Sequence, residues 1–477
     1  MSGAKRALTL TRKKMVILAG YLGGETYGLL GPQVAATVIQ QHSPYDCIVI
    51  AVTRDDDKHF LKKCMADFFG PERPLIAFSY LSGRQDLFGF AKALKEEGAL
   101  TILAGPQADV DYLGEKAWQD HPHRFQGLSK CFIFSFHGPA EQILPFLRKA
   151  DEKTPGEWPG MLWRDKQGTL LQRAKTRWDS AFMKKIFWDN LYRLGANGLF
   201  PQKVSTGQVL WHIGCPHAAL SVRREIDYPA FIGGKEKRKV NVLLRGCSFC
   251  DVAVDKGFYG ALDTDTVLHQ IRGLPEREDG RKIPFELINE NALPGLSRLL
   301  RAIAQREILI SQINLTLRAD GFARSEAQLR EALSMAKDMG IRIFLGSMGF
   351  ESFDDAILSN LHKGLDVSVN LQGVRLMRRM KEEFPDHWGY SRQEGAVHGF
   401  IHPTPWDTRE TEANNQKNIG LYGLNFDILP EHSTPLIIHH ASALGDWIRH
   451  IETREALQFK REGTIIGWWQ MGDHFVL

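Results

Sequence analysis

Along most of the first 150 residues, short unbroken apolar runs alternate with segments whose apolar residues return every three to four positions. The runs Met15–Ala19, Cys47–Val52, Leu75–Leu81, Leu100–Gly105 and Cys131–Phe136 predict strands. Between the first two, Leu30, Val34 and Val38 share one face of a helix. Strands with no polar alternation are covered on both faces, and strands alternating with helices predict a parallel sheet. Ligands of such sheets bind beyond the carboxyl ends of the strands. The loops there, GYLGGETYG, SYLSGRQ, AGPQAD and FHGPAE, are rich in Gly, Ser and Pro. They serve either as tight turns or as backbone that a large flat ligand can approach closely.

Pro159–Gln172 reads as two short strands around a Lys-Gln-Gly turn, and 181–205 as an aromatic, irregular linker. Strand–helix alternation then resumes. Val240–Arg245, Phe285–Asn289, Ile313–Arg318, Ile341–Leu345, Ala396–His402 and Phe426–Leu429 predict strands. Thr264–Leu274, Ser297–Gln305, Ser325–Met339 and Val367–Glu383 predict helices. The fold class is therefore α/β: a flavodoxin/Rossmann-like domain over 1–180, then a partial (β/α)6 barrel over 206–435 with its chemistry at the carboxyl ends of the strands. The amphipathic remainder, 436–477, is expected to be a helical tail.

A chain of 477 residues exceeds one ordinary core, in keeping with two domains. Its 60 basic and 56 acidic residues leave a net charge of only +4. That balance argues against nucleic acid or an anionic membrane as the partner of the whole chain. No apolar run reaches the roughly 18–20 residues of a membrane span. MVILAG, behind a basic N-terminus, is too short for a signal-peptide core, so a cytoplasmic location is expected.

In a reducing compartment the six cysteines are thiols, and their grouping points to metal or catalysis. Cys247-Ser-Phe-Cys250 follows the apolar run VNVLLRG, and two thiolates at this spacing grip one metal centre or form a redox dithiol. Gly214-Cys215-Pro216-His217 follows another apolar run, QVLWHI. Electron-transfer 4Fe–4S clusters take four cysteines, so three would leave one iron open. Cys47, Cys64 and Cys131 lie within predicted strands or helices, where packing accounts for them.

GCPH at 214–217 and RGCSFCD at 245–251 resemble the two halves of the cysteine run of cobalamin-dependent radical S-adenosylmethionine (AdoMet) enzymes. In that family the three cysteines follow the first barrel strand in CxxxCxxC spacing. Here the spacing is Cys-x31-Cys-x2-Cys, and Leu243 stands where the first cysteine would fall. Either 216–246 is an insertion between the first and second ligands, or Cys215 is incidental. Lengthening the loop from about 3 to about 31 residues costs roughly 2 kcal/mol of closure entropy. A multi-thiolate metal site outweighs that, since structural zinc provides on the order of 10 kcal/mol.

The resemblance extends over nearly the whole chain. TYGLLGPQVAATVIQ, AFSYLSGRQDLFGFAKALKEEGALTILAGPQA and PGMLWRDKQGTLLQ are similar to successive segments of the family's cobalamin domain. RIFLGSMGFESFDDAILSNLHKG and HGFIHPTP are similar to segments of its barrel. The match implies cobalamin contacts at Gly23, Gly24, Tyr80, Leu81, Ser82, Gly105, Pro106 and Gln107. It implies AdoMet contacts at Asn291, Arg318 and Glu351, and a 4Fe–4S cluster on Cys215, Cys247 and Cys250. It implies reduction by a flavodoxin or ferredoxin, and methylation of an unactivated carbon in a small molecule or peptide through a 5′-deoxyadenosyl radical and methylcobalamin. The Asp-x-His-x-x-Gly motif of a lower axial histidine is absent from the first loop, as in many of these enzymes. Radical cyclases or rearrangement enzymes, methylthiotransferases, and a non-catalytic corrinoid- or zinc-binding protein are the competing readings.

Overall fold

The computed structural model describes residues 12–79, 84–105, 131–148, 158–164, 170–176, 178–232, 238–250, 260–461 and 465–468. In the first sheet, β1 (Lys13–Gly20), β2 (Tyr45–Val52), β3 (Leu75–Ser79), β4 (Leu100–Leu103) and β5 (Phe134–Phe136) are parallel, in the order β2-β1-β3-β4-β5. Helices α1 (Leu30–His42), α2 (Lys58–Phe69) and α3 (Gln85–Glu96) connect the first four strands. Alternate β1 residues serve opposite faces. Met15, Ile17 and Ala19 join the core that contains α1, and Val16 and Leu18 join that of α2 and α3.

The hairpin β6 (Met161–Arg164) and β7 (Leu170–Gln172) extends one edge of this sheet. At the other edge, β8 (Leu191–Gly195) runs parallel to β2 and turns back into β9 (Gly198–Pro201). Much of the expected linker thus belongs to the first sheet. The core beside α1 runs unbroken into that of the second sheet. Leu30 N–H donates to Gln208 Oε1 at 3.0 Å, and Gly28 N–H to the Thr206 carbonyl at 2.8 Å.

The second sheet is parallel throughout: β10 (Gly207–Leu210), β15 (Phe285–Ile288), β16 (Gln312–Arg318), β17 (Arg342–Glu351) and β18 (Trp388–Gly389), with β19 (Gly399–Phe400) also paired to β17. Its first strand is β10, not Val240–Arg245 as the apolar run predicts. That segment forms β13 (Lys239–Arg245), antiparallel to β12 (Ser221–Asp227) in a hairpin of its own. The alternating exposure of β13 is that of a ladder covered on one face. Phe426–Leu429 is not a strand either: the helix Leu424–Asp427 ends there and buries Leu424 and Ile428 four residues apart.

Helices α4 (Thr264–Gly273), α5 (Leu293–Gln305), α6 (Glu326–Met339) and α8 (Val367–Glu383) follow the expected periodicity closely; α7 (Asp355–Asn360) and the helices Ala319–Ala323 and Arg409–Tyr422 are additions. The tail is not simply helical. Strand β20 (Leu436–His439) pairs antiparallel with β21 (Ile465–Trp468), and between them α9 (Ala443–Glu455) packs Trp447, Ile448 and Ile451 against Val240, Val242 and Leu244 of the hairpin. No helix among the described residues is long and apolar enough to cross a membrane.

Candidate functional site

Beyond the carboxyl end of β10, the short strand His212–Ile213 leads into Cys215, whose carbonyl accepts the Ala218 N–H at 2.9 Å. The chain then leaves along β12 and returns along β13, with Ser221 opposite Arg245. Gly246 closes the excursion at φ +78°, where a Cβ would stand 3.1 Å from Ala218 Cβ. A ladder whose two ends are paired brings Cys215 and Cys247 back together across 31 intervening residues. Leu243 lies on the exposed face of that ladder.

The Cys247–Cys250 turn is anchored on the end of α7. Cys250 N–H donates to the Cys247 carbonyl at 3.1 Å, and Ser248, fully buried, donates from N–H to Leu361 at 2.9 Å and from Oγ to Asn360 at 2.9 Å. The Asn360 side chain in turn accepts the Asp227 N–H at 2.9 Å, fixing the far end of β12 to the same helix. Two half-buried histidines complete the clamp. Their rings stack with centroids 5.4 Å apart, His217 Nε2 lies 2.9 Å from the His362 carbonyl, and His362 Nδ1 lies 2.8 Å from that of Gly246. Burial lowers the pKa of His217, favouring a neutral ring.

Arg318 ends β16 and faces this turn. Its guanidinium donates to Cys247 Sγ at 3.5 Å, to the Lys363 carbonyl at 2.6 Å and to Asp320 at 3.1 Å. Burial works against its charge, but Cys247, Asp320 and Cys215 outweigh that and raise its pKa. Burial likewise pushes the Cys215 thiol up, with Arg318 pulling it down and Glu290 and Cys247 pushing it further. Glu351 ends β17 at φ +62°, an uncommon conformation for a non-glycine residue, and its Oε1 accepts from Lys363 Nζ at 2.8 Å. Only 8% of Glu351 and 4% of Lys363 is exposed. Burial opposes the Lys363 charge, yet Glu351 and Cys247 together hold its pKa above the ordinary lysine value. Glycine at 349 and 399 makes room for the carboxylate: a Cβ on either would press on Glu351 oxygens, at 2.8 Å for Gly399.

Of the expected cluster ligands, Cys215 and Cys247 thus meet in the field of Arg318, and Cys250 lies in the same turn as Cys247. None of the three is in a disulfide, and all are half-buried. Among the described residues, no three His, Cys, Asp or Glu side chains are grouped closely enough to hold a metal ion. Asn291 lies beyond β15 near the Arg318 loop, its Oδ1 3.4 Å from where a Gly321 Cβ would stand. Arg318 and Glu351, expected to contact AdoMet, are engaged by Cys247 and Lys363. Sequence reasoning passed over His362 and Lys363, which with Gly364 end the segment RIFLGSMGFESFDDAILSNLHKG.

In the first sheet, Gly23 and Gly24 follow β1 and Gly105 follows β4. The strand order reverses between β1 and β3, the crevice where doubly wound sheets of this order bind ligands. Gly24 has φ +82°, and nothing stands within 4 Å of a Cβ built on Gly23 or Gly24, so the loop presents open backbone there. Gly105, at φ +77°, packs against Ser79, where a Cβ would meet Oγ at 2.7 Å. Tyr80, Leu81, Ser82, Pro106 and Gln107 lie outside the described residues. The remaining thiols Cys47, Cys64 and Cys131 are buried. Comparison with protein-family models and with curated proteins finds no match to the chain.

Proposed function

We propose that the chain is a cobalamin-dependent radical AdoMet enzyme, with its six-stranded sheet serving as a partial barrel and the first sheet as the corrinoid domain. The observation that carries this reading is the return of Cys247 to Cys215 by a paired hairpin at the carboxyl end of a parallel sheet, opposite Arg318. Cys215, Cys247 and Cys250 would hold a 4Fe–4S cluster. The residue types suit it: three thiols outside any disulfide, with two cations, Arg318 and Lys363, beside Cys247 to offset thiolate charge. When bound, the cluster, AdoMet and cobalamin supply electron transfer, radical generation and methyl transfer, so the leading reaction is methylation of an unactivated carbon.

The chain's own contribution is positional. Arg318 ties the Cys247 turn to the Lys363 backbone, and Lys363 fixes the Glu351 carboxylate at the sheet's rim. Ser248 holds the turn on α7, which limits the motion of Cys247 and Cys250 together. A carboxylate and a guanidinium at adjacent strand ends suit the ammonium and carboxylate of an amino acid moiety. The open glycines beyond β1 suit a broad planar ligand.

The test is AdoMet turnover. Anaerobically reconstituted protein with dithionite is expected to release 5′-deoxyadenosine, read by chromatography and mass spectrometry. Absence of that product from protein with its full cluster content would rule the reading out.

A further inference from the structure

We infer that the outer face of the β12–β13 hairpin, with the adjoining face of α9, is the docking surface for a small acidic one-electron carrier protein. The inference rests on the proposed function and names the partner of that same centre. The 216–246 segment carries seven basic and three acidic residues, so its net charge equals the +4 of the whole chain. On the outer face itself the register sets Arg223, Lys239 and Arg245 against Glu225 and Asp227, with both arginines at the end of the hairpin that begins and ends at Cys215 and Cys247.

The pairing register decides what the outer face shows. Arg223 stands opposite Leu243 and Ser221 opposite Arg245, all four exposed, while Val242 and Leu244 turn inward. Beside this face, α9 presents Arg449 and Arg454, and the two elements enclose an open groove of about 650 Å³. Leu243 is 55% exposed, and Leu220, at the hairpin's entry, is 81% exposed. Exposed leucines among arginines make an apolar centre with a basic rim, the make-up of a protein interface.

A nucleic acid is the poorer fit. Glu225, Asp227 and Asp446 interrupt the basic residues, and the exposed apolar side chains here are aliphatic, without the aromatic platforms that bases stack on. Position supports a redox partner. Arg245 is two residues from Cys247, so a carrier seated on this face approaches the thiols from the side on which the chain leaves and re-enters the centre. An acidic carrier would be steered there by long-range attraction, which sets association rate more than residence time.

The test uses Arg223→Glu/Arg454→Glu in the full chain; both residues are exposed and neither touches the thiol centre. Reduced flavodoxin is titrated against wild type and variant by calorimetry at low and high salt. AdoMet cleavage is followed in parallel, driven by flavodoxin or by dithionite. The variant is expected to bind flavodoxin roughly tenfold or more weakly at low salt, with a flatter salt dependence. Its flavodoxin-driven cleavage is expected to fall alongside, with dithionite-driven cleavage unchanged. Equal flavodoxin affinity in the two proteins overturns the docking surface. So does a variant that loses affinity only for single-stranded RNA. If wild type fails to cleave AdoMet with dithionite, the functional reading fails, and the calorimetric comparison still decides the docking face.

Discussion

Replacing Lys363 by methionine removes the buried cation beside Glu351 while keeping most of the apolar stem. Lys363 is 4% and Glu351 8% exposed, with Nζ and Oε1 2.8 Å apart, so the pair is desolvated and the carboxylate left behind has little access to water. Breaking a buried pair from one side costs about 3–5 kcal/mol, mostly the orphaned charge. Glu351 also holds a positive φ that costs of order 1–3 kcal/mol and persists only while its surroundings fix it. Lys363→Met is therefore expected to destabilise by roughly 3–5 kcal/mol. Adding Glu351→Gln should recover part of that loss, because a neutral amide is easier to leave unpaired. Urea unfolding followed by tryptophan fluorescence and by circular dichroism gives both numbers for the transition the two probes share. A loss below about 1 kcal/mol, or no recovery in the double variant, would refute the electrostatic reasoning.

Cys215→Ala is expected to abolish AdoMet cleavage as fully as Cys250→Ala, measured as 5′-deoxyadenosine per chain. Near-normal product would remove Cys215 from the centre. Gly399→Ala is expected to weaken AdoMet binding in a titration while leaving cluster content intact, because its Cβ crowds the Glu351 carboxylate at 2.8 Å. Arg318→Lys keeps the charge but not the fork that reaches Cys247, Lys363 and Asp320 together. It is expected to cost about 1–3 kcal/mol in urea unfolding. Glu394 tests the pH dependence. Burial raises its pKa, but Lys381, the Ser391 and Tyr390 N–H groups and the Ser391 hydroxyl bring it down to about 2. Its stabilising contribution is thus present above the ordinary glutamate value and fades as pH falls toward 2. Glu394→Gln should flatten the acid limb of stability below about pH 4.5.

Where apolar periodicity was long, it located elements well: α8 runs over Val367–Glu383, as its helical face predicts, and the first parallel strands coincide with their apolar runs. Short and one-sided strands were less legible. β10 and β18 are too brief to show a period, whereas β13 is long and apolar enough to pass for a sheet strand, although Asn241 and Leu243 point outward. The β8–β9 hairpin carried a signal in Asn197-Gly198 that marks a tight turn and was available beforehand.

At the site, the residue types were readable and their engagement was not. The Cys247–Cys250 spacing and the family resemblance pointed to Cys215, Cys247 and Cys250, and the register of β12 on β13 shows how 31 residues can separate Cys215 from Cys247 in sequence while the chain returns to the same end of the sheet. Lys363 left no local pattern, because its burial in the loop after α7 depends on Glu351 and Gly349 of β17. The partner of a buried charge is a tertiary fact, and neither spacing nor propensity encodes it.

Iron and acid-labile sulfide per chain, measured after anaerobic purification of the native protein and of Cys215→Ala, bear most directly on the thiol centre. About four irons and about four sulfides in the native chain, with loss of both in the variant, are expected if the three thiols share one cluster. Zinc in place of iron, or an iron content unchanged by removing Cys215, would contradict it.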